Sequence, residues 1–205
     1  MPLLCRDAAE EAKGLRRRDC YLPAHCRSCG VDPVNGCNHD DIEYKWGRLT
    51  LAVARPEVGK QWTDSGERHD ERGLKHRPDD ETRPVPIPPE LVRIIRWHIA
   101  TFGVTPDGRL FSSSNGGILG SNTYNRVWAE ARKLALTPDQ FASILAGRPY
   151  DLRHACLSLW FNCGVPATEV AKRAGQSVKV LLEIYAKCID GDEEIINARI
   201  ERALS

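Results

Sequence analysis

The spacing of apolar and polar residues divides the chain into a short strand-forming part and a longer helical part. Residues 48–53 alternate with the two-residue period of a strand, and residues 82–88 alternate again, with prolines that confine them to a sheet edge. We expect these two strands to bracket a β-hairpin. Their connection, residues 56–81, is long and densely charged and contains three glycines, which predicts a mobile tip.

Most of the remaining chain has helical spacing. Residues 7–18 have the composition of an opening helix, whereas residues 20–41 are rich in Cys, Pro, Gly and Asn and predict an irregular loop or insertion. A helix after Pro88, ended by Gly103, should face inward with Leu91, Ile94, Ile95, His98 and Ile99. Further helices are expected near residues 121–134, 138–146, 150–161, 167–174, 178–188 and 193–204. The predicted fold class is α+β, mainly α, with a small antiparallel sheet near the N-terminus.

Composition and charge narrow the class of protein only slightly. The 205 residues are 41% hydrophobic and 28% charged, which fits one globular domain. No apolar run approaches the roughly 20 residues that a membrane span needs, and the first six residues do not resemble a secretion signal, so we expect a cytoplasmic protein without membrane partners. The net charge of +1 neither supports nor excludes nucleic-acid binding.

Four of the eight cysteines lie within residues 20–41. Without a secretion signal they are expected to stay reduced or to bind metal. The pattern Cys26-x-x-Cys29 followed by Cys37-x-His39 offers four ligands to a tetrahedral zinc ion, with Cys20 and His25 nearby. Two interpretations remain open, a structural zinc site and a variable surface loop with free thiols.

Four short blocks near the C-terminus carry the clearest chemical signal. They are YDLRH at 150–154, GV at 164–165, AGQS at 174–177 and YAK at 185–187. In this order and spacing they resemble the signature of phage-integrase-type tyrosine recombinases. That family has His-x-Leu-Arg-His, a Gly turn, a Gly-His-Ser turn and a Tyr nine positions after the His of that turn; Gln176 and Tyr185 reproduce the interval. The alternative is an ordinary helical bundle with a buried Tyr and Arg.

The resemblance implies a mostly helical catalytic domain with a small three-stranded sheet, and DNA strand exchange through a 3′-phosphotyrosyl intermediate. Tyr185 matches the nucleophile, Arg153 the second catalytic arginine, and His154 a supporting residue. Because a phenol with a pKa near ~10 is a weak nucleophile, cations must hold the phosphate. Lys75 resembles the hairpin lysine that protonates the leaving 5′ oxygen, with a solvated lysine as the alternative and Lys60 as the substitute.

Three positions depart from the family pattern. Tyr150 stands where the family most often has His, and it can still donate a hydrogen bond to phosphate. Gln176 replaces the His of the Gly-His-Ser turn, so it can donate a hydrogen bond but cannot transfer a proton. The first arginine falls on Ala8; Arg6 lies two residues earlier, about 200° away around a helix. We therefore expect either a rearranged start, with Arg6 binding DNA, or one missing phosphate ligand.

The resemblance also implies an organisation and partners. Residues 1–205 would form one catalytic domain with a Cys-rich insertion at about 20–41, and the family's N-terminal core-binding domain would be absent. The expected partner is double-stranded DNA, with a homo-tetramer on DNA as a further expectation. Catalysis needs no cofactor, so zinc would be structural. The alternatives are a catalytically impaired DNA-binding remnant of an integrase and a zinc-stabilised interaction module.

Overall fold

The computed structural model describes residues 11–54, 56–57, 60–63, 71–74, 81–185 and 193–204. Its contacts divide the chain into two compact units, Met1–Tyr124 and Asn125–Ser205. At the start of the described part, residues 11–13 are helical. The predicted opening helix does not continue to Arg18, because the chain turns at Gly14 and forms a 3₁₀ turn at Arg17–Asp19, where the Asp19 carboxylate accepts from the Arg16 N–H.

The first unit contains a three-stranded antiparallel sheet. Its strands run in the order β1 (Cys20–Tyr21), β4 (Gly47–Leu51) and β7 (Arg83–Ile87). β7 lies at the edge as predicted, since Pro84 and Pro86 cannot donate to a further strand. Position 47 of β4 requires glycine because the strand lies close to Tyr21 and Val92. A Cβ there would lie 2.5 Å from the Tyr21 carbonyl oxygen and 2.7 Å from Val92 Cγ2.

The cysteine-rich stretch is more ordered than its composition predicts. Strands β2 (Ala24–Cys26) and β3 (Ile42–Tyr44) pair antiparallel, with Cys26 opposite Ile42, and a 3₁₀ turn covers Pro33–Asn35. The prediction of an irregular loop over residues 20–41 is therefore wrong for its first part. Strands of three residues are too short to show an alternation among Cys, His and Pro. A second two-stranded pair joins β5 (Val53–Ala54) and β6 (Arg72–Gly73).

Helix α1 (Pro89–Phe102) covers the core of the first unit. Pro89 occupies its first turn, and Gly103, with φ of 71°, follows its end. The buried positions are Val92 and Ile95, whereas Ile94 is 44% exposed, so the inward face predicted from spacing is wrong at Ile94. The core consists of Leu15, Cys20, Leu22, Ile87, Val92, Ile95 and Leu110.

The remaining helices begin near the predicted positions, but the helix expected over residues 138–146 ends at Ala142, and residues 186–188 of the helix expected over 178–188 lie outside the described part of the chain. The helices are α2 (Ser121–Ala135), α3 (Pro138–Ala142), α4 (Asp151–Asn162), α5 (Ala167–Ala174), α6 (Val178–Tyr185) and α7 (Glu193–Leu204). Thr137 begins α3 with a reciprocal pair of hydrogen bonds to Gln140. The core of the second unit consists of Leu157, Val170, Ala171, Ala174, Leu181 and Tyr185. The chain is thus mainly helical with a small antiparallel sheet; no described helix has the length and apolarity that crossing a bilayer demands.

Candidate functional site

Tyr185 is the last residue of α6 and belongs to the hydrophobic core of the second unit. Its side chain is 3% exposed, and its ring lies 6.4 Å from the ring of Phe161. The phenol oxygen is 2.6 Å from Nδ1 of His154, within hydrogen-bond distance. Helix packing therefore fixes the ring, and the contact with His154 helps to fix the direction of its hydroxyl.

His154 is held on α4 between two aromatic rings. The Tyr150 ring meets it edge-on at a centroid distance of 4.9 Å, and the Tyr185 ring lies 5.6 Å away. Tyr150 stands at the start of α4, so the two residues are one helical turn apart and face the same side. This packing restrains the imidazole with Nδ1 toward Tyr185.

Arg153 precedes His154 on α4 and contacts neutral acceptors. Its Nη2 donates to the Ala174 carbonyl oxygen at 2.5 Å and to Oε1 of Gln176 at 3.4 Å. Among the residues that the structure describes, no carboxylate lies within ion-pair distance of this guanidinium, whereas Arg148 and Arg173 of the same unit pair with Asp151 and Glu169. The positive charge of Arg153 is therefore uncompensated there.

Gln176 adds an unused donor beside Arg153. Its Nε2 is buried and has no hydrogen-bond partner in the described parts of the chain. A buried donor without an acceptor costs about 1–3 kcal/mol, so such a group is favoured where a ligand supplies the acceptor. The site can thus offer an anion a charged fork and an amide, next to a phenol whose hydroxyl contacts an imidazole.

Solved structures identify the fold of this chain. It matches the Tn1549 transposon integrase in complex with transposon right end DNA, with a TM-score of 0.57 and 17% identity over 99% of this chain and 57% of that one. It matches the same integrase in complex with circular intermediate DNA with a TM-score of 0.56 and 16% identity over 98% of this chain and 58% of that one. The fold is integrase-like. The chain spans just over half of the integrase structures that it matches. No protein-family model and no curated protein matches it.

The integrase-like fold brings together five of the residues predicted from the sequence. Tyr185, His154 and Tyr150 form one line of contacts, and Arg153 and Gln176 form another, starting from adjacent residues of α4. The predicted general acid Lys75 lies outside the described residues. So do Ala8, which stands where the family has its first arginine, and Arg6, two residues earlier. For Lys60 only the backbone is described, within the 3₁₀ turn Lys60–Trp62.

One contributor to the site has no signal in the sequence. The carbonyl of Ala174 accepts the shorter Arg153 hydrogen bond, and it does so because α5 ends there, where Gly175 adopts a left-handed φ of 66°. Carbonyls at a helix end lack helical partners and accept from other donors. The Ala-Gly-Gln-Ser block predicted this turn, but a backbone acceptor cannot be deduced from residue type.

The four predicted metal ligands also converge, in the first unit. Cys26, Cys29, Cys37 and His39 place one ligand atom each within 4.8 Å of all the others. Burial raises the pKa of the Cys26 thiol, but hydrogen bonds from the Cys29 and Ser28 backbones and from neighbouring thiols outweigh burial and lower that pKa to about 6. Cys20 is not part of the group; it is buried in the core, which raises its pKa to about 11.

Proposed function

We propose that residues 1–205 form the catalytic domain of a site-specific DNA recombinase of the tyrosine-recombinase type. The observation that carries this proposal is the uncompensated charge of Arg153 beside the Tyr185–His154 contact. A guanidinium held by neutral acceptors remains available for a phosphate, which it can bind through two parallel hydrogen bonds.

In the proposed reaction the Tyr185 oxygen attacks a DNA phosphorus atom, and a 3′-phosphotyrosyl bond forms as the bond from phosphorus to the 5′ oxygen breaks. With the imidazole of His154 protonated at Nε2, Nδ1 accepts the phenol proton, over the 2.6 Å that already separates the two atoms. Arg153 stabilises the charge that develops on the non-bridging oxygens. The 5′ oxygen takes a proton from a general acid, for which Lys75 is our candidate.

The substituted positions have roles that fit their chemistry. Gln176 donates through Nε2 to a non-bridging oxygen in place of the histidine that the family pattern has there. Tyr150 orients His154 through its edge-on ring contact. Proton transfer would therefore rest on His154, and no step uses Gln176 as an acid or base.

The proposed substrate is double-stranded DNA, and the two integrase structures compared above are complexes with DNA. We propose that strand exchange takes place in the cytoplasm between protomers of a homo-tetramer assembled on DNA. Sedimentation of the protein with a duplex that carries its recombination site tests this arrangement. Four chains per synapsed DNA pair are expected, and a complex that never exceeds two chains contradicts the tetramer.

A covalent-trapping assay tests the proposed reaction. The protein is incubated with a nicked suicide duplex, and a denaturation-resistant protein–DNA adduct is expected. Tyr185→Phe should abolish this adduct, whereas Tyr21→Phe, which changes a 60% exposed tyrosine outside the site, should keep it. DNA binding without any adduct would contradict the enzyme and indicate a binding remnant. An adduct that persists in Tyr185→Phe would remove Tyr185 from the mechanism.

A further inference from the structure

We propose that Cys26, Cys29, Cys37 and His39 hold a structural zinc ion that fixes the β2–β3 hairpin. The proposal rests on no step of the recombination reaction. The four groups are three thiols, which are weak donors and weak acceptors, and one imidazole nitrogen, so their mutual contacts are weak compared with what a shared cation provides.

Three of the six distances between the ligand atoms are close to those of a tetrahedral centre. Zn–S bonds of about 2.3 Å and a Zn–N bond of about 2.0 Å separate neighbouring ligand atoms by about 3.5 to 3.8 Å. Here the Cys29 and Cys37 sulfurs are 3.4 Å apart, and Nδ1 of His39 lies 3.4 Å from the Cys37 sulfur and 3.5 Å from the Cys26 sulfur. The remaining pairs of ligand atoms lie within 4.8 Å of one another, so an ion at the centre of the group needs shifts of about one ångström at most.

The backbone forms a tight turn around the first two ligands. Gly30 has a left-handed φ of 74°, and its N–H donates to the Cys26 carbonyl at 2.7 Å, while the Cys26 N–H donates to the Val31 carbonyl at 2.9 Å. Nothing lies within 4 Å of a Cβ added at Gly30, so conformation rather than space requires glycine there. This turn aims the Cys26 and Cys29 sulfurs at one point.

The second pair of ligands closes the site from the far end of the loop. The backbone N–H of His39 donates to the Cys37 sulfur at 3.5 Å, which partly offsets the negative charge of a thiolate. Because the protein supplies all four ligands, no position remains for a substrate, and the site is structural rather than catalytic. Three sulfurs and an imidazole favour zinc over magnesium or calcium, which prefer oxygen.

The ion would act on a loop that is also tied to helix α1. Nη1 of Arg96, on α1, donates to the Leu22 carbonyl at 2.7 Å and to Oδ2 of Asp32 at 3.2 Å, so the loop is tied to the helix at Asp32. The connection from β2 to β3, residues 27–41, otherwise contains only the 3₁₀ turn Pro33–Asn35. Zinc would add a cross-link between the two ends of this loop.

Metal analysis of the purified full chain tests the proposal directly. One zinc per chain is expected, and Cys29→Ser and His39→Ala should each reduce zinc retention at least tenfold under a competing chelator. Two controls should keep the metal: Cys163→Ser, at an exposed cysteine outside the group, and His25→Ala, at a histidine of β2 that pairs with Glu43. Equal retention in all four variants would overturn the proposal.

A second measurement needs no variant and so avoids misfolded proteins. Cobalt(II) added to chelator-treated wild-type protein should give the absorption of a tetrahedral ion with thiolate charge-transfer bands, and one equivalent of zinc should remove it. A metal-free folded protein that binds neither ion would overturn the proposal. So would iron in place of zinc, or a Cys29–Cys37 disulfide, visible as the loss of two hydrogen atoms in the intact mass.

Discussion

Arg153 of the second unit differs from the little-exposed arginines of the first unit in how its charge is neutralised, although Arg148 and Arg173 of the second unit also have carboxylate partners. In the first unit Arg83, Arg96 and Arg109, which are 8–13% exposed, pair with the carboxylates of Glu11, Asp32 and Asp107. In the second unit Arg153 meets only the Ala174 carbonyl and the Gln176 amide oxygen among the described residues. The first arrangement serves stability, whereas the second leaves a charge available for a ligand.

The arginine partners lower the pKa values of the carboxyl groups that they pair with. Hydrogen bonds from Arg109 and Thr105 lower the pKa of Asp107 to about 2. Burial raises the pKa of Asp32, but its hydrogen bond to Arg96 outweighs burial and holds that pKa below the usual 3.8. A paired guanidinium has little attraction left for an outside anion. Arg153 is the arginine whose loss should affect chemistry more than folding, and four predictions test this difference.

The largest effect on stability is expected from Arg83→Met. This change removes the Arg83 guanidinium from the Glu11 carboxylate, whose side chain is 12% exposed, at a cost of about 3–5 kcal/mol in the free energy of unfolding. Urea unfolding monitored by circular dichroism measures the loss. The control is Arg93→Met, which breaks a pair with Glu90 on the exposed side of α1 and should cost much less, because solvent screens an exposed pair. Equal losses would contradict a structural role for the buried pair.

Arg153→Ala should have the next largest effect, on the reaction. We expect adduct formation to slow by about 10²–10³-fold, equivalent to about 2.7–4 kcal/mol of transition-state stabilisation, with a change in unfolding free energy below about 1.5 kcal/mol. Arg153→Lys keeps the charge but loses the planar guanidinium, so its rate of adduct formation should lie between those of the wild type and Arg153→Ala. If Arg153→Ala is strongly destabilised but forms adduct at the wild-type rate per folded molecule, Arg153 has a structural role and no role in the reaction.

The sequence predicts the second unit better than the first for a physical reason. Tyr185 and Arg153 lie on short helices and Gln176 lies in a tight glycine turn between two of these helices, so their intervals along the chain fix their positions in space. The Arg96–Asp32 pair joins residues 64 positions apart, and no local pattern indicates it. The convergence of Cys26, Cys29, Cys37 and His39 was predictable because all four lie within one loop. Strand β2 was not, since three residues are too few to show a period.

Arg96→Met should have a smaller effect than the two preceding changes, confined to the hairpin. The Asp32 carboxylate and the Leu22 carbonyl lose a charged donor, and we expect a loss of about 1–3 kcal/mol in unfolding free energy. Zinc should also pass to a chelator several times faster, since the loop that carries the ligands loses its tie to α1. Arg27→Met is the matched control, because Arg27 is 62% exposed and pairs with Glu43 on the same hairpin. An unchanged rate of zinc transfer would show that the Arg96–Asp32 pair does not affect the metal site.

The smallest effect is expected from Asp107→Asn, and its pH dependence identifies the cause. Since the folded pKa of Asp107 is about 2 and the usual value is 3.8, the ion pair with Arg109 stabilises the fold above about pH 4 and loses this contribution as the pH falls toward about 2. The Asp107 side chain is 43% exposed, so the contribution at neutral pH should stay below about 1 kcal/mol. Urea unfolding of wild type and variant at neutral pH and near pH 3 measures the difference, and other acid-labile groups cancel because both proteins share them. The difference should shrink in acid; a constant difference would assign the effect to the Thr105 hydrogen bond instead of the charge.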